Sequence, residues 1–265
     1  MIALVTGASS GIGRAMAIGF AKRGFNLIIV ARRRQRLIEL KKEVQEQYGV
    51  KVRMFCHDLS KTEECMKLYD EVSRVKVDIV VNSAGFGVFG PFDETSLEDE
   101  LKMIDVNIKA VHILTKLFLR DFKKRDKGFI LNVASVAGFM AGPEFSSYYA
   151  SKNYVLQLTK AIHEELRHEK SNVYLGAFCP GPVRTEFNEI AGAEFAITGI
   201  TDVEVAEYAI EKMFDGQMII VPTVAAKFLA AAAKVVPTDI MLAATGAVQR
   251  SRKAIGEGDR NVVKF

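Results

Sequence analysis

Tyr148 and Lys152 stand four positions apart in a stretch of helical character, which puts a phenol and an ammonium on one face of a helix. An ammonium held there favours the phenolate and is expected to lower the tyrosine pKa from its reference of ~10 toward neutrality, each unit being ~1.4 kcal/mol. A tyrosine so tuned gives or takes a proton near pH 7. The spacing alone is cheap, because Tyr208 and Lys212 repeat it. Context separates the two pairs. Ser135 closes the run Asn132-Val133-Ala134-Ser135 thirteen residues before Tyr148, whereas Phe195 holds that place before Tyr208.

A second group of residues suits phosphate. Thr6-Gly7-Ala8-Ser9-Ser10-Gly11-Ile12-Gly13 follows an apolar run and opens a helical one. Glycines let the backbone turn sharply and approach a ligand, and a helix N-terminus offers free N–H groups and a positive dipole to a pyrophosphate. The second apolar run ends Val30-Ala31-Arg32-Arg33-Arg34, where an NAD-binding chain would present Asp or Glu to a ribose hydroxyl. Arg32 and Arg33 instead suit a 2′-phosphate, so NADP(H) is preferred. Arg34 and Arg36 read as a solvated helix start. Asp58 could accept from an adenine amino group, or cap the next helix with Ser60 or Lys61 starting it.

These side chains need a scaffold that brings strand ends together. Ile2-Val5, Leu27-Val30, Val52-Phe55, Asp78-Val81, Phe129-Val133, Val173-Phe178 and Met218-Val221 read as short, nearly all-apolar strands. Helical segments separate them: Ile12-Arg23, Arg34-Tyr48, Lys61-Arg74, Leu97-Lys123, Phe145-His168 and Val203-Asp215. The alternation predicts an α/β fold, a Rossmann-like doubly wound parallel sheet of about seven strands with helices on both faces. Ligands bind such sheets beyond the strands' carboxyl ends. Past residue 222, Ala225-Val236 and Thr238-Lys253 predict two amphipathic helices whose apolar faces meet core or a neighbouring subunit, with a substrate lid or peripheral membrane contact as the lesser readings.

Composition sets the outer bounds. The chain has 265 residues, 49 % hydrophobic, with 36 basic and 32 acidic side chains. That supports one sizeable core, and a net charge of +4 is too small to suggest nucleic acid. Seven basic residues and no acidic one precede residue 37, an uncompensated charge expected to surround the phosphate site. Three cysteines without C-x-x-C or Cys/His spacing indicate neither a disulfide framework nor a zinc site, and fit a reducing cytoplasm. The N-terminus shows no signal-peptide pattern. The longest uncharged stretch, Gly128 to Pro143, falls short of the ~20 apolar residues of a membrane span.

Taken together, the glycine loop, Asp58, Asn82-Ser83-Ala84-Gly85, Asn107, Ser135, Tyr148…Lys152 and Pro180-Gly181…Thr185 resemble the short-chain dehydrogenase/reductase family in order and spacing, over about residues 1 to 222. Residues 82–92 are similar to a bacterial branch of general oxidoreductases related to hydroxysteroid and 3-oxoacyl-carrier-protein reductases. The resemblance implies that Tyr148 is the acid/base, that Lys152 lowers its pKa and holds the nicotinamide ribose, and that Ser135 hydrogen-bonds the substrate oxygen. It implies that Asn107 kinks the fourth helix and holds a relay water. The implied cofactor contacts are Gly7, Ser9, Ser10, Gly11, Ile12 and Gly13 in the loop, with Leu59 beside Asp58. Asn82, Ala84 and Gly85 follow the fourth strand, and Pro180, Gly181, Val183 and Thr185 the sixth. Tyr148 and Lys152 also touch the cofactor, and Arg32 and Arg33 hold its phosphate. Ser83 departs from the asparagine that many members carry, and the extension past residue 222 lies outside the shared pattern.

The expected reaction is reversible hydride transfer between NADP(H) and a carbonyl or secondary alcohol. Phe139, Phe145 and Phe187 are the candidate substrate contacts, in an apolar pocket closed by a lid at about 184–200. Residues 1–222 are expected to form the catalytic domain and 223–265 a helical extension whose end docks on a neighbouring subunit through Val262, Val263 and Phe265. A homodimer or homotetramer is expected from the long helices, which in the family that the chain resembles build a four-helix dimer interface. The rival readings are a non-catalytic NADP(H) sensor and an epimerase or dehydratase on a related fold.

Overall fold

A computed structural model describes residues 1–183, 186, 187, 191 and 200–253, the last three by backbone alone. Among these residues seven parallel strands form one sheet in the order β3-β2-β1-β4-β5-β6-β7. They are β1 (Ile2–Thr6), β2 (Asn26–Val30), β3 (Val52–Phe55), β4 (Ile79–Asn82), β5 (Gly128–Val133), β6 (Val173–Phe178) and β7 (Ile219–Ile220). The order reverses direction between β1 and β4, which places a crevice at their carboxyl ends. The helices are α1 (Gly11–Lys22), α2 (Arg34–Tyr48), α3 (Thr62–Val72), α4 (Leu97–Ile104), α5 (Val111–Lys124) and α6 (Ser146–His168). They continue with α7 (Asp202–Phe214), α8 (Val224–Val235) and α9 (Thr238–Lys253). The fold class expected from the alternating runs is the fold found.

Near-continuous apolar strands follow from burial on both faces. Ala3 and Val5 of β1 pack with Met16 and Phe20 of α1, Leu40 of α2 and Ile210 of α7. Leu4 between them packs on the other face with Leu68 of α3 and Leu114 and Phe118 of α5. Each of the larger of these side chains, fully removed from water, contributes roughly 1.5–3 kcal/mol. Local signals set the ends of several helices. Ser96 accepts from the Asp99 amide to cap α4, Thr201 and Glu204 cap each other's backbone at α7, and Gly49 ends α2 with φ of 67°, a conformation that favours glycine.

Leu97–Lys123 is interrupted where the resemblance implies a kink: a π-helical turn at Asp105–Ala110, holding Asn107, separates α4 from α5. Two other expectations are corrected. The early basic residues do not all surround a phosphate site. Arg14 pairs with Glu43, while Lys22 and Arg23 pair with Glu207 at 3.3 and 2.6 Å. Lys22 and Arg23 stand at the far end of α1, roughly 17 Å from its N-terminus at 1.5 Å per residue. Asp58 does not cap α3, which begins at Thr62 after Lys61. Its Oδ1 accepts instead from Ser60 N and Oγ, at 3.2 and 2.9 Å.

The extension forms two helices as expected. α8 packs Ala226 and Ala230 inward and leaves Val224, Phe228 and Val235 exposed. α9 lies against the loop between β5 and α6, where Thr245 Oγ1 is 3.2 Å from Ala141 O while also 2.9 Å from Met241 O of its own helix. The docking expected of Val262, Val263 and Phe265 lies outside the described residues. No helix among the described residues is long and apolar enough to cross a membrane.

Candidate functional site

The crevice at the reversal of strand order is built by two loops. Thr6, the last residue of β1, accepts from Ser83 N and Ala84 N at 3.0 and 3.1 Å and donates to Val81 O at 3.3 Å. Its hydroxyl thus ties the glycine loop to the loop after β4. Gly7 turns there at φ +68°, and a Cβ on it would lie 2.8 Å from the Ala84 backbone, so any larger residue would force the loops apart. The loop runs through Ser9 and Ser10 into Gly11, Ile12 and Gly13 at the start of α1. That helix has no side-chain cap and no acidic residue in its first turn. Its first N–H groups and positive end face the crevice.

Arg33, at the N-terminus of α2, reaches across to this loop. Its Nη2 donates to Ser10 Oγ at 2.6 Å and Ser9 Oγ at 3.0 Å, and its Nη1 lies 2.7 Å from Glu186 Oε2. Arg36 Nη2 reaches the same carboxylate at 3.3 Å. Hydrogen bonding to Arg33 holds the Glu186 carboxyl below the usual range, against a smaller desolvation that raises it. Arg36 is exposed as expected from its position, yet it also joins a charge cluster, because the chain after the Pro180-Gly181 turn brings Glu186 back to it. Arg32 and Arg34 are exposed. Glu186 shows that this end of the sheet already takes an anion. A helix N-terminus and two guanidinium groups fit a phosphorylated dinucleotide.

The other wall carries the acid–base residues. Ser135 leaves β5 in extended conformation. Its Oγ accepts from Ala137 N at 3.1 Å and lies 3.5 Å from Pro180 O. Tyr148 and Lys152 stand on the first turns of α6, both buried. Lys152 Nζ donates to Val133 O at 3.0 Å and lies 5.7 Å from the centre of the Tyr148 ring. Asn107 sits in the π-helical turn, fully buried. Its Nδ2 donates to Phe86 O at 2.9 Å and Ser151 Oγ at 3.1 Å, and its Oδ1 accepts from Phe86 N at 3.1 Å. Ser151 Oγ in turn donates to Tyr148 O at 2.7 Å. The helix irregularity therefore turns an amide inward to brace both α6 and the loop after β4.

Burial decides the protonation of this pair. It pushes the Tyr148 phenol well above its usual range, with hydrogen bonding to Ser135 pulling back only in part. It pulls Lys152 down to about 8. The lowering expected for Tyr148 is thus reversed. The ammonium is engaged by a backbone carbonyl and lies over the ring instead of at the oxygen. Aromatic neighbours meanwhile strip the phenol of water. Tyr148 therefore keeps its proton, while Lys152, at about 8, still carries its charge at neutral pH.

Those neighbours form an apolar wall. Phe145 stacks on Tyr148 with ring centres 4.4 Å apart, Phe187 lies at 5.3 Å, and Phe89 meets Phe145 edge-on at 5.7 Å. Met103 and Val88 complete the group. Phe139 does not join it, packing instead with Val155, Leu156 and Val221 while Lys160 lies 6.0 Å from its ring.

The remaining candidates divide between loop and interior. Ala84 and Gly85 lie beside the glycine loop and Asn107, whereas the Asn82 side chain turns into the sheet and donates to Thr115 Oγ1 and Asn132 Oδ1 at 3.1 and 2.8 Å. Leu59 and Val183 are buried, Gly181 approaches Ala226, and Pro180 O accepts from Val136 N. Thr185 and most of 184–200 lie outside the described residues. Tyr208 and Lys212 stand on α7, where Lys212 pairs with Asp215 and Glu211. Sequence reasoning missed Ser151, Glu186 and Gln249. Thr6 carried a signal as the hydroxyl residue closing a strand before glycine. The other three meet their partners only through the fold.

A family model described as short chain dehydrogenase matches residues 1–194. A very-long-chain 3-oxoacyl-CoA reductase of Anas platyrhynchos is 31 % identical over 201 residues, covering 73 % of this chain and 63 % of that protein. The chain thus matches less than two thirds of that relative's length. An uncharacterized oxidoreductase of Staphylococcus saprophyticus is 33 % identical over 69 % of this chain and 79 % of that one. Among solved structures, a short-chain dehydrogenase from Sphingobium yanoikuyae in complex with NADPH superposes with a TM-score of 0.80. It is 27 % identical and covers 100 % of this chain and 98 % of that one.

Proposed function

Because the chain belongs to the short-chain dehydrogenase family, we propose that it interconverts a carbonyl and a secondary alcohol on an apolar small molecule, using NADP(H). The observation that carries the proposal is the meeting of Ser135, Tyr148, Lys152 and Asn107 beside the crevice that ends in the glycine loop. When bound, the nicotinamide supplies or accepts the hydride.

In the reductive direction Ser135 Oγ and the Tyr148 phenol donate hydrogen bonds to the substrate's carbonyl oxygen, where negative charge grows. Tyr148 then gives its proton to that oxygen, a contribution of ~10²–10⁴-fold for a positioned acid. A phenol held above its usual range by burial keeps its proton at neutral pH, which is the form the acid requires. Lys152, held by the Val133 carbonyl, and Asn107, held by Phe86 and Ser151, stand on the side from which the proton is replaced.

The wall of Phe145, Phe187 and Phe89 supports an apolar substrate. The 3-oxoacyl chain in the name of the duck relative is of that kind. Residues 1–222 form the catalytic unit in this reading and 223–265 its extension. Consumption of NADPH with a panel of apolar ketones, steroids and 3-oxoacyl thioesters tests it. Wild-type protein that binds NADPH yet turns over none of them, or a Tyr148→Phe variant with undiminished turnover, would overturn it.

A further inference from the structure

The carboxylate of Glu186 is held by two guanidinium groups, at 2.7 Å from Arg33 and 3.3 Å from Arg36. Arg33 is in turn fastened to Ser9 Oγ and Ser10 Oγ, on the loop that opens α1. One anion therefore sits between the N-terminus of α2 and the glycine loop. It belongs to the chain itself, arriving 150 residues after Arg36. The phosphate expected of Arg33 and any carboxylate of Glu186 compete for the same donors. A dianionic phosphate offers three acceptor oxygens to two planar forks, whereas a carboxylate offers two oxygens and a single charge.

We propose that Glu186 is a specificity-determining residue for the cofactor, its carboxylate occupying the Arg33–Arg36 anion site so that only a cofactor carrying a ribose phosphate displaces it. This rests on the NADP(H) reading above and adds a competitor to it. An unphosphorylated dinucleotide brings no group that can replace Glu186, and the ion pair persists beside it. The phosphorylated cofactor takes over both arginines and releases Glu186 into solvent. Displacement lowers its affinity below what the two arginines alone would provide. Because all three side chains are partly exposed, each pair contributes modestly, and the competition is worth a few-fold in affinity.

Isothermal titration calorimetry of wild type, Glu186→Gln and Glu186→Ala with NADPH and with NADH tests the inference. Both variants are expected to bind NADPH about 3- to 10-fold more tightly than wild type, at unchanged NADH affinity. The gain should shrink when Arg36→Ala is added, and it should shrink in high salt. Unchanged or weaker NADPH binding in both variants would overturn the role of Glu186 and leave the NADP(H) reading standing. Wild type that binds NADH as tightly as NADPH would overturn both.

Discussion

Gln249 Nε2 donates to the phenol oxygen of Tyr149 at 2.9 Å, joining α9 to the residue that follows Tyr148 on α6. The amide is 1 % exposed. It fastens the extension to α6, and Thr245 Oγ1 lies 3.2 Å from Ala141 O on the loop that runs from Ser135 to Phe145. The helix outside the family pattern is thereby built into the wall of the candidate active site.

Replacing Gln249 with Leu removes its hydrogen bond to the half-buried Tyr149 hydroxyl, which costs about 0.5–1.5 kcal/mol. Urea unfolding should show that loss. With a turnover assay in hand, KM for a bulky ketone should rise while the NADPH dissociation constant stays within a factor of two. Equal weakening of both would place α9 outside the substrate wall.

Tyr148→Phe keeps the ring stacked on Phe145 and removes only the proton donor. Turnover should fall by ~10²–10⁴-fold, and NADPH binding measured by calorimetry should persist. Ser135→Ala should lower kcat by a comparable order, because one of two donors to the growing charge is lost.

Lys152 gives the stability of the unliganded protein a defined pH dependence. Its folded value of about 8 lies below the ordinary 10.5. Below pH 8 both folded and unfolded chains hold the proton, and the burial penalty is present in full. Between pH 8 and 10.5 the unfolded chain binds more protons, so this residue's contribution rises with pH by up to roughly 3 kcal/mol. Urea midpoints of wild type and Lys152→Met at pH 7 and pH 9.5 isolate it: the difference between them should move in favour of wild type at the higher pH. A difference independent of pH would refute the shifted lysine.

Gly7→Ala combines a positive φ with a 2.8 Å approach to the Ala84 backbone. A loss of ~1–3 kcal/mol in stability is expected. NADPH affinity should drop at least tenfold, because the loop that Thr6 pins to β4 must open. Calorimetry on the folded variant separates the two effects.

The sequence by itself determined the sheet, because seven short apolar runs separated by helical segments have few ways to bury both faces. It also marked the hydroxyl, phenol and ammonium of the site, since their spacing along β5 and α6 is local. Burial and long-range pairing lie beyond it. The direction of the Tyr148 shift depends on Phe145 and Phe187 excluding water and on Val133 taking the ammonium, and no spacing rule encodes either. Arg33 and Arg36 meet their counter-ion from residue 186, Arg14 and Arg23 meet theirs from Glu43 and Glu207, and Tyr149 meets Gln249. Phe139 and Phe145 look alike in sequence, yet one packs beside Val155 and Leu156 while the other stacks on the candidate acid. Local chemistry is written in adjacent residues. Charge compensation, dielectric and the choice of wall depend on which distant side chains the tertiary structure brings within a few ångströms.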